Sequence, residues 1–283
     1  MIFHNATARL FVPDGEPDPL GRVTHLGIGA HQDDLEFMAF HGILACYHST
    51  SEWFAGVTCT DGAESSRTGP YAEFSDAQMR AARSREQETA ASVGRYAAMI
   101  QLDYPSRAVK SATDPALRED LGRILEATRP RVVYTHNLAD KHETHIGVAV
   151  AALQAMRDLP AESRPRAVHG CEVWRGLDWM PDEDKIVHDV SAHENLAAAL
   201  NGVFDSQIAG GKRYDLATLG RRRANATFFH ARAADEARMI SFAMDLTPLI
   251  ADPALSISDY VEGYIAKFAA DVRAKLAKRL ADE

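Results

Sequence analysis

The passage from residue 23 to residue 47 constrains the fold most tightly. Val23–Ala30 (VTHLGIGA) is a short apolar run ending in small residues, the pattern of a buried strand entering a tight turn. Leu35–Tyr47 then takes up helical spacing. Only His31, Gln32, Asp33 and Asp34 lie between them, so the chain passes from strand to helix within one turn. The alternation continues. Phe54–Thr60 reads as a strand, Asp61–Pro70 as a polar loop, and Ser75–Val93 as a helix capped by Ser75 or Asp76. Ala97–Leu102 is a third strand ending at Asp103, followed by a helix over Pro115–Thr128. Arg131–Thr135 is a fourth strand, leading through the loop His136–His142 into a helix over His145–Arg157. Beyond it, Ala167–Trp174 and Lys185–Val190 read as strands, and His193–Ile208, Asp235–Met244 and Ile257–Leu280 as helices. The expectation is an α/β fold: a Rossmann-like, mostly parallel sheet with helices on both faces. In such sheets functional groups gather at the carboxyl ends of the strands.

A chain of 283 residues is long enough for one large domain, here expected over 1–283 with an N-terminal extension (1–22) and a helical C-terminal portion (235–283). A net charge of −9 argues against a general nucleic-acid or anionic-membrane binder, because both need basic surface. Three separated cysteines without a CxxC pair suit a reducing compartment. There is no apolar signal-like segment at the start and no membrane-length apolar run, so a soluble cytoplasmic protein is expected.

Chemistry concentrates in two short segments. His31 and Asp34 are three residues apart at a turn, a spacing that lets both side chains reach one ion. Asp33, between them, projects differently and is placed to accept a proton from an attacking water. The competing reading is a simple helix cap by Asp33 or Asp34. The second segment, His136–His145 (HNLADKHETH), holds three histidines and Asp140 after a strand. One of His142 and His145 can complete a His–Asp–His set, and the other can donate to an oxyanion or protonate a leaving amine. A solvated polar loop is the alternative. Gly27-x-Gly29 lends slight support to a non-catalytic nucleotide- or sugar-binding module. Two adjacent carboxylates would repel a pyrophosphate there, however, and the third glycine of that fingerprint is missing. A closed structural metal site is a third possibility.

Taken together, these residues resemble the PIG-L/LmbE-like N-deacetylases. Ala30–Glu36 (AHQDDLE) is similar to that family's A-H-P-D-D-x-E, and His136–His145 to its H-N-P-x-D-x-H-x-D-H. Thr60–Gly69 (TDGAESSRTG), Arg83–Glu86, Asp103 and Ser206–Gln207 resemble its supporting motifs in the same order. The resemblance implies a Zn2+ (or other divalent) ion on His31, Asp34 and His145, with Asp33 as general base. It implies His142 as oxyanion stabiliser or acid, and Arg67, Asp103 and Gln207 as substrate-binding positions. The implied substrate is a small N-acylated sugar or conjugate, and homo-oligomers are compatible with it. Three departures stand out: Gln32 replaces the family proline, Thr144 replaces an acidic residue, and Phe40–His41 stand near a frequent glycine pair. Asp140 or Glu143 can compensate for Thr144. The stretch Phe204–Arg223 maps onto nothing in the family beyond its Ser-Gln pair.

Overall fold

The computed structural model describes residues 1–280. The chain opens with β1 (Arg9–Phe11), β2 (His25–Gly29), α1 (Asp34–Met38), α2 (Phe40–Tyr47), β3 (Phe54–Thr60) and α3 (Asp76–Val93). Next come β4 (Ala98–Tyr104), α4 (Ser106–Val109), α5 (Ala116–Thr128), β5 (Val132–His136) and α6 (Glu143–Asp158). β6 (Ala167–Cys171), β7 (Ile186–Asp189), α7 (Glu194–Gly202), α8 (Asp205–Ile208) and α9 (Tyr214–Phe228) follow. β8 (Ile240–Asp245), α10 (Thr247–Ala251) and α11 (Ile257–Leu280) complete it.

The strands form one sheet in the order β1-β4-β3-β2-β5-β6-β8-β7. The five central strands, β4 to β6 in that order, are parallel. β1 and β8 run antiparallel to their neighbours. From β2 the chain winds outward through β3 and β4, then returns to place β5 on the other side of β2. The β2–β5 boundary is therefore the switch point, where a crevice opens beyond the strand ends.

Alternation along the strands divides the core between the two faces. Leu26, Ile28, Val57, Ile100 and Val133 pack with Leu121, Leu125 and Val148 of α5 and α6. Phe54, Met99, Tyr134 and Cys171 pack on the other face with Leu35, Phe40, Ile43 and Leu196 of α1, α2 and α7. Gly27 is required by this second layer. A Cβ there would stand 2.7 Å from the Phe54 ring and 2.9 Å from Leu35. The glycines of β2 thus let α1 rest against the strand, a packing role rather than a phosphate-binding one.

Five expectations change. The 1–22 segment contains the short edge strand β1. The helix expected over 35–47 breaks at Ala39, and that over 193–208 breaks between Gly202 and Asp205. β6 stops at Cys171. The helix expected over Asp235–Met244 is corrected to a strand, β8, because Ile240, Phe242 and Met244 alternate onto one face and Ala243 packs on the other. No helix among the described residues is long and apolar enough to cross a membrane.

Candidate active site

The first half-site is the turn between β2 and α1. The His31 N–H donates to Asp34 Oδ2 at 2.6 Å, closing the turn on itself. Asp33 takes φ 99°, a conformation non-glycine residues avoid. Its N–H donates to Gln87 Oε1 at 3.1 Å, and Arg83 Nη1 donates to its Oδ2 at 3.2 Å. Gln32, in the proline position, donates from Nε2 to the Thr60 carbonyl at 3.0 Å, and its own carbonyl accepts from Arg83. The departure from proline replaces a fixed φ with a buried tether to β3.

The second half-site follows β5. His142 is the N-cap residue of α6 and His145 lies in its first turn. Asp140 serves both: its Oδ1 accepts the His142 N–H at 3.0 Å, and its Oδ2 lies 3.1 Å from His145 Nδ1. Asp140 therefore supplies the orientation that Thr144 does not. His145 Nε2 then points across the crevice, 3.2 Å from His31 Nδ1 and 3.4 Å from Asp34 Oδ1. His31, Asp34 and His145 thus offer one donor atom each, all within 4.8 Å of one another. Two imidazoles and a carboxylate suit a zinc-like ion with an open position, and the partly exposed His31 ring leaves that position facing the cleft. A second grouping, His136–Asp140–His145, shares one member. His136 Nε2, however, already accepts the Ala30 N–H at 2.8 Å, and Asp140 is committed to α6.

Burial and neighbours set the charges. Burial pushes the Asp33 carboxyl up to about 6, against the pull of Arg83 and with the help of Asp34. Burial acts the same way on Asp34, but His145, His136 and His31 outweigh it and hold that carboxyl well below its usual range. Burial lowers His136 to about 4 and also lowers His142, keeping both neutral near pH 7. Burial opposes protonation of His145 too, yet the Asp34 and Asp140 carboxylates raise it. Two carboxyls one residue apart are thereby driven in opposite directions.

His31, Asp33, Asp34, His142 and His145 all line one cavity of about 480 Å3. Its walls include Phe37, Val173, Trp174, Gln207 and Tyr214. The His142 ring is held between His145 and Trp174, with ring centroids at 4.8 Å and 4.9 Å. Two of the expected substrate positions are not brought there. Arg67 turns to the Ala63 carbonyl and to Asp76 at 2.5 Å. Asp103 is buried at the end of β4, 3.6 Å from Arg9. Gln207 does line the cavity, and its Nε2 is buried without a partner.

Residues 26–156 match the family PIG-L, GlcNAc-PI de-N-acetylase. That segment, just under half of the chain, is similar to the PIG-L family. No curated protein matches it. Among solved structures, the conserved protein TT1542 from Thermus thermophilus is similar, with 19% identity and a TM-score of 0.61 over 82% of this chain and 98% of that one. The N,N'-diacetylchitobiose deacetylase of Pyrococcus horikoshii has 16% identity and a TM-score of 0.62, over 88% and 93%. GalB of Pseudomonas putida, a 4-carboxy-2-hydroxymuconate hydratase, has 17% identity and a TM-score of 0.60, over 80% and 96%. At these identities the likeness is one of fold.

The supporting motifs, in the matched segment and at Ser206 beyond it, have structural roles. Arg83 holds the Asp33 turn, and Glu86, one helical turn on, accepts from Ser206 N–H at 2.7 Å and Ser206 Oγ at 2.6 Å. That pair anchors α8 to α3 and puts Gln207 over the cavity. Trp174, Gln207 and Tyr214 fall outside the matched 26–156 segment, so the half-sites belong to the family match and part of the cavity wall does not. The sequence reading missed Arg83, Trp174 and Tyr214 as site residues. Only the R-x-x-E pattern offered a signal for one of them.

Proposed function

We propose that this chain hydrolyses the N-acyl amide, chiefly N-acetyl, of an amino sugar or related conjugate, using a divalent ion, Zn2+ foremost. One observation carries the reading: three metal-competent donors, a strained buried carboxyl and a neutral histidine line the same cavity. His31, Asp34 and His145 would hold the ion, which when bound polarises the acyl carbonyl and acidifies a water. Asp33, kept by Arg83 and Gln87 beside that position, takes the proton of the attacking water. His142 presents a neutral N–H to the oxygen that gains charge, its ring fixed between His145 and Trp174. Asp33 then returns that proton to the departing amine, while the neutral His142 keeps its N–H. The PIG-L match and the fold shared with a diacetylchitobiose deacetylase support the substrate class.

A second reading has its own observation. Lys110 and Lys212 line the cavity and neither forms an ion pair among the described residues. They suit an anionic substrate, and the fold is shared with a hydratase of a carboxylated acid. The same residues can add water to a conjugated carboxylate. One assay separates the two. Chelated protein, with and without restored zinc, is incubated with N-acetylated amino sugars, free and conjugated, and with conjugated hydroxy acids. Zinc-dependent acetate release supports the deacetylase. Zinc-dependent loss of diene absorbance without acetate release replaces it with the hydratase.

A further inference from the structure

Three histidines outside the cleft converge within the core. His41 lies on α2, His169 on β6 and His188 on β7. One ring nitrogen from each lies within 4.8 Å of the other two. The His41 and His188 rings stack at 4.1 Å between centroids, and His169 stands 5.2 Å from His188. None of the three lines the active-site cavity.

Their ring nitrogens are left unsatisfied. His41 Nδ1, His169 Nδ1 and His188 Nε2 are buried and have no hydrogen-bond partner. His41 is only 6% exposed. A buried polar group without a partner is costly, so three in contact need an explanation. The neighbours do not provide it. The Tyr134 hydroxyl is engaged with His25 Nδ1 at 2.8 Å. Cys171 Sγ lies 3.9 Å from His41 Nε2, and its S–H is directed at the His169 carbonyl, 3.7 Å away. Burial lowers His41, His188 and His169, the last to about 4, so the rings are neutral and their lone pairs free.

We infer that His41, His169 and His188 form a second metal site for a borderline divalent transition ion, Zn2+ foremost. Three neutral imidazoles without a carboxylate disfavour Ca2+ and Mg2+, which take oxygen ligands. Zn–N bonds of about 2.0–2.1 Å require the rings to draw together and the stacked His41 and His188 rings to tilt toward one ion. Three imidazoles leave the fourth position of a tetrahedral ion to water. The ion would join the edge strand β7, bonded in the sheet only to β8, to β6 and α2. This site stands independently of the proposed deacetylase centre.

Metal counting on full-length chelated protein, reloaded with zinc and dialysed, tests the inference. Wild type is expected to hold two ions per chain, and His145→Ala and His188→Gln one each. Cobalt loaded into His145→Ala should give visible d–d absorption, lost in His145→Ala/His188→Gln. His169→Gln serves as the second variant if the edge-strand change disturbs folding by circular dichroism. A single ion that His145→Ala removes and His188→Gln retains overturns the second site and leaves the first standing. A single ion with the reverse behaviour supports the second site and overturns the catalytic metal instead.

Discussion

At Asp33 backbone strain, a buried cation and a neighbouring carboxylate meet. Its φ of 99° costs on the order of 1–3 kcal/mol, sustained by the bonds from its N–H to Gln87 and from Arg83 to its carboxylate. A helix cap would show a side-chain bond to the first-turn amides, and Asp33 makes none. The proton-accepting role predicts a specific kinetic signature. Asp33→Asn preserves shape and the three ion donors but cannot take a proton. Turnover should fall roughly 10²–10⁴-fold with zinc content unchanged. Wild-type turnover in this variant would remove Asp33 as the base. At this scale the half-sites were legible because their residues are crowded into two post-strand turns. Of Asp140 and Glu143, the two residues expected to compensate for Thr144, Asp140 bonds to His145 and to the His142 amide. Arg67, in a loop, and Asp103, at the end of β4, carry the right motif positions yet face other partners, since motif position does not fix a rotamer. Arg83 was hidden because an arginine on an amphipathic helix looks like a solvated face until the helix is docked.

Among the elements, the loop between β6 and β7 brings Val173 and Trp174 to the cavity wall, and it hangs on Glu172. Glu172 Oε2 accepts from the Leu177 N–H at 2.9 Å and from Trp179 Nε1 at 3.3 Å. Its Oε1 is buried without a partner. The loop turns through Gly176 and Leu177, both at positive φ, and carries Trp174 to the His142 ring. Burial pushes the Glu172 carboxyl up to about 7, only partly opposed by the Leu177 N–H, with Asp140 adding to the rise. The sign follows. Between about 4.5 and about 7 the folded state keeps a proton that the unfolded state has lost. The stability Glu172 contributes is complete below 4.5 and is lost as the pH rises through 7. The loss is at most about 3 kcal/mol. Glu172→Gln should therefore melt higher than wild type at pH 8 and alike at pH 4.5, by calorimetry. Parallel melting curves across that range would mean that the clamp is not protonated. Strands and helices were legible where period and length agreed. β8 was not, because Ala, Glu and Arg at 234–238 favour helix and mask the two-residue period that starts at Ile240.

Across the whole molecule, the decisive fact is that the two half-sites arrive on adjacent central strands. His25 pairs with Val132 and Gly27 with Tyr134, so the turns after β2 and β5 emerge side by side, each backed by fully buried core. The sheet order that produces this is not written locally, because any parallel alternation permits several strand permutations. Its consequence is a preformed donor set whose occupancy should couple to global stability. An ion that binds only the folded chain adds about 4 kcal/mol at a thousandfold excess over its Kd. For a chain of this size that raises the melting temperature by roughly 8 °C, taking about 2 °C per kcal/mol. The measurement is cleanest in a His188→Gln background, where the histidine cluster beneath α2 cannot contribute. Zinc added to that chelated protein should raise its melting temperature. Asp33→Asn on the same background should keep the rise, because Asp33 is not a ligand. His145→Ala should abolish it, because His145 is the donor that bridges from the β5 turn to the β2 turn. A rise that survives His145→Ala would place the ion elsewhere, and no rise at all would leave the hydrolytic reading without its metal.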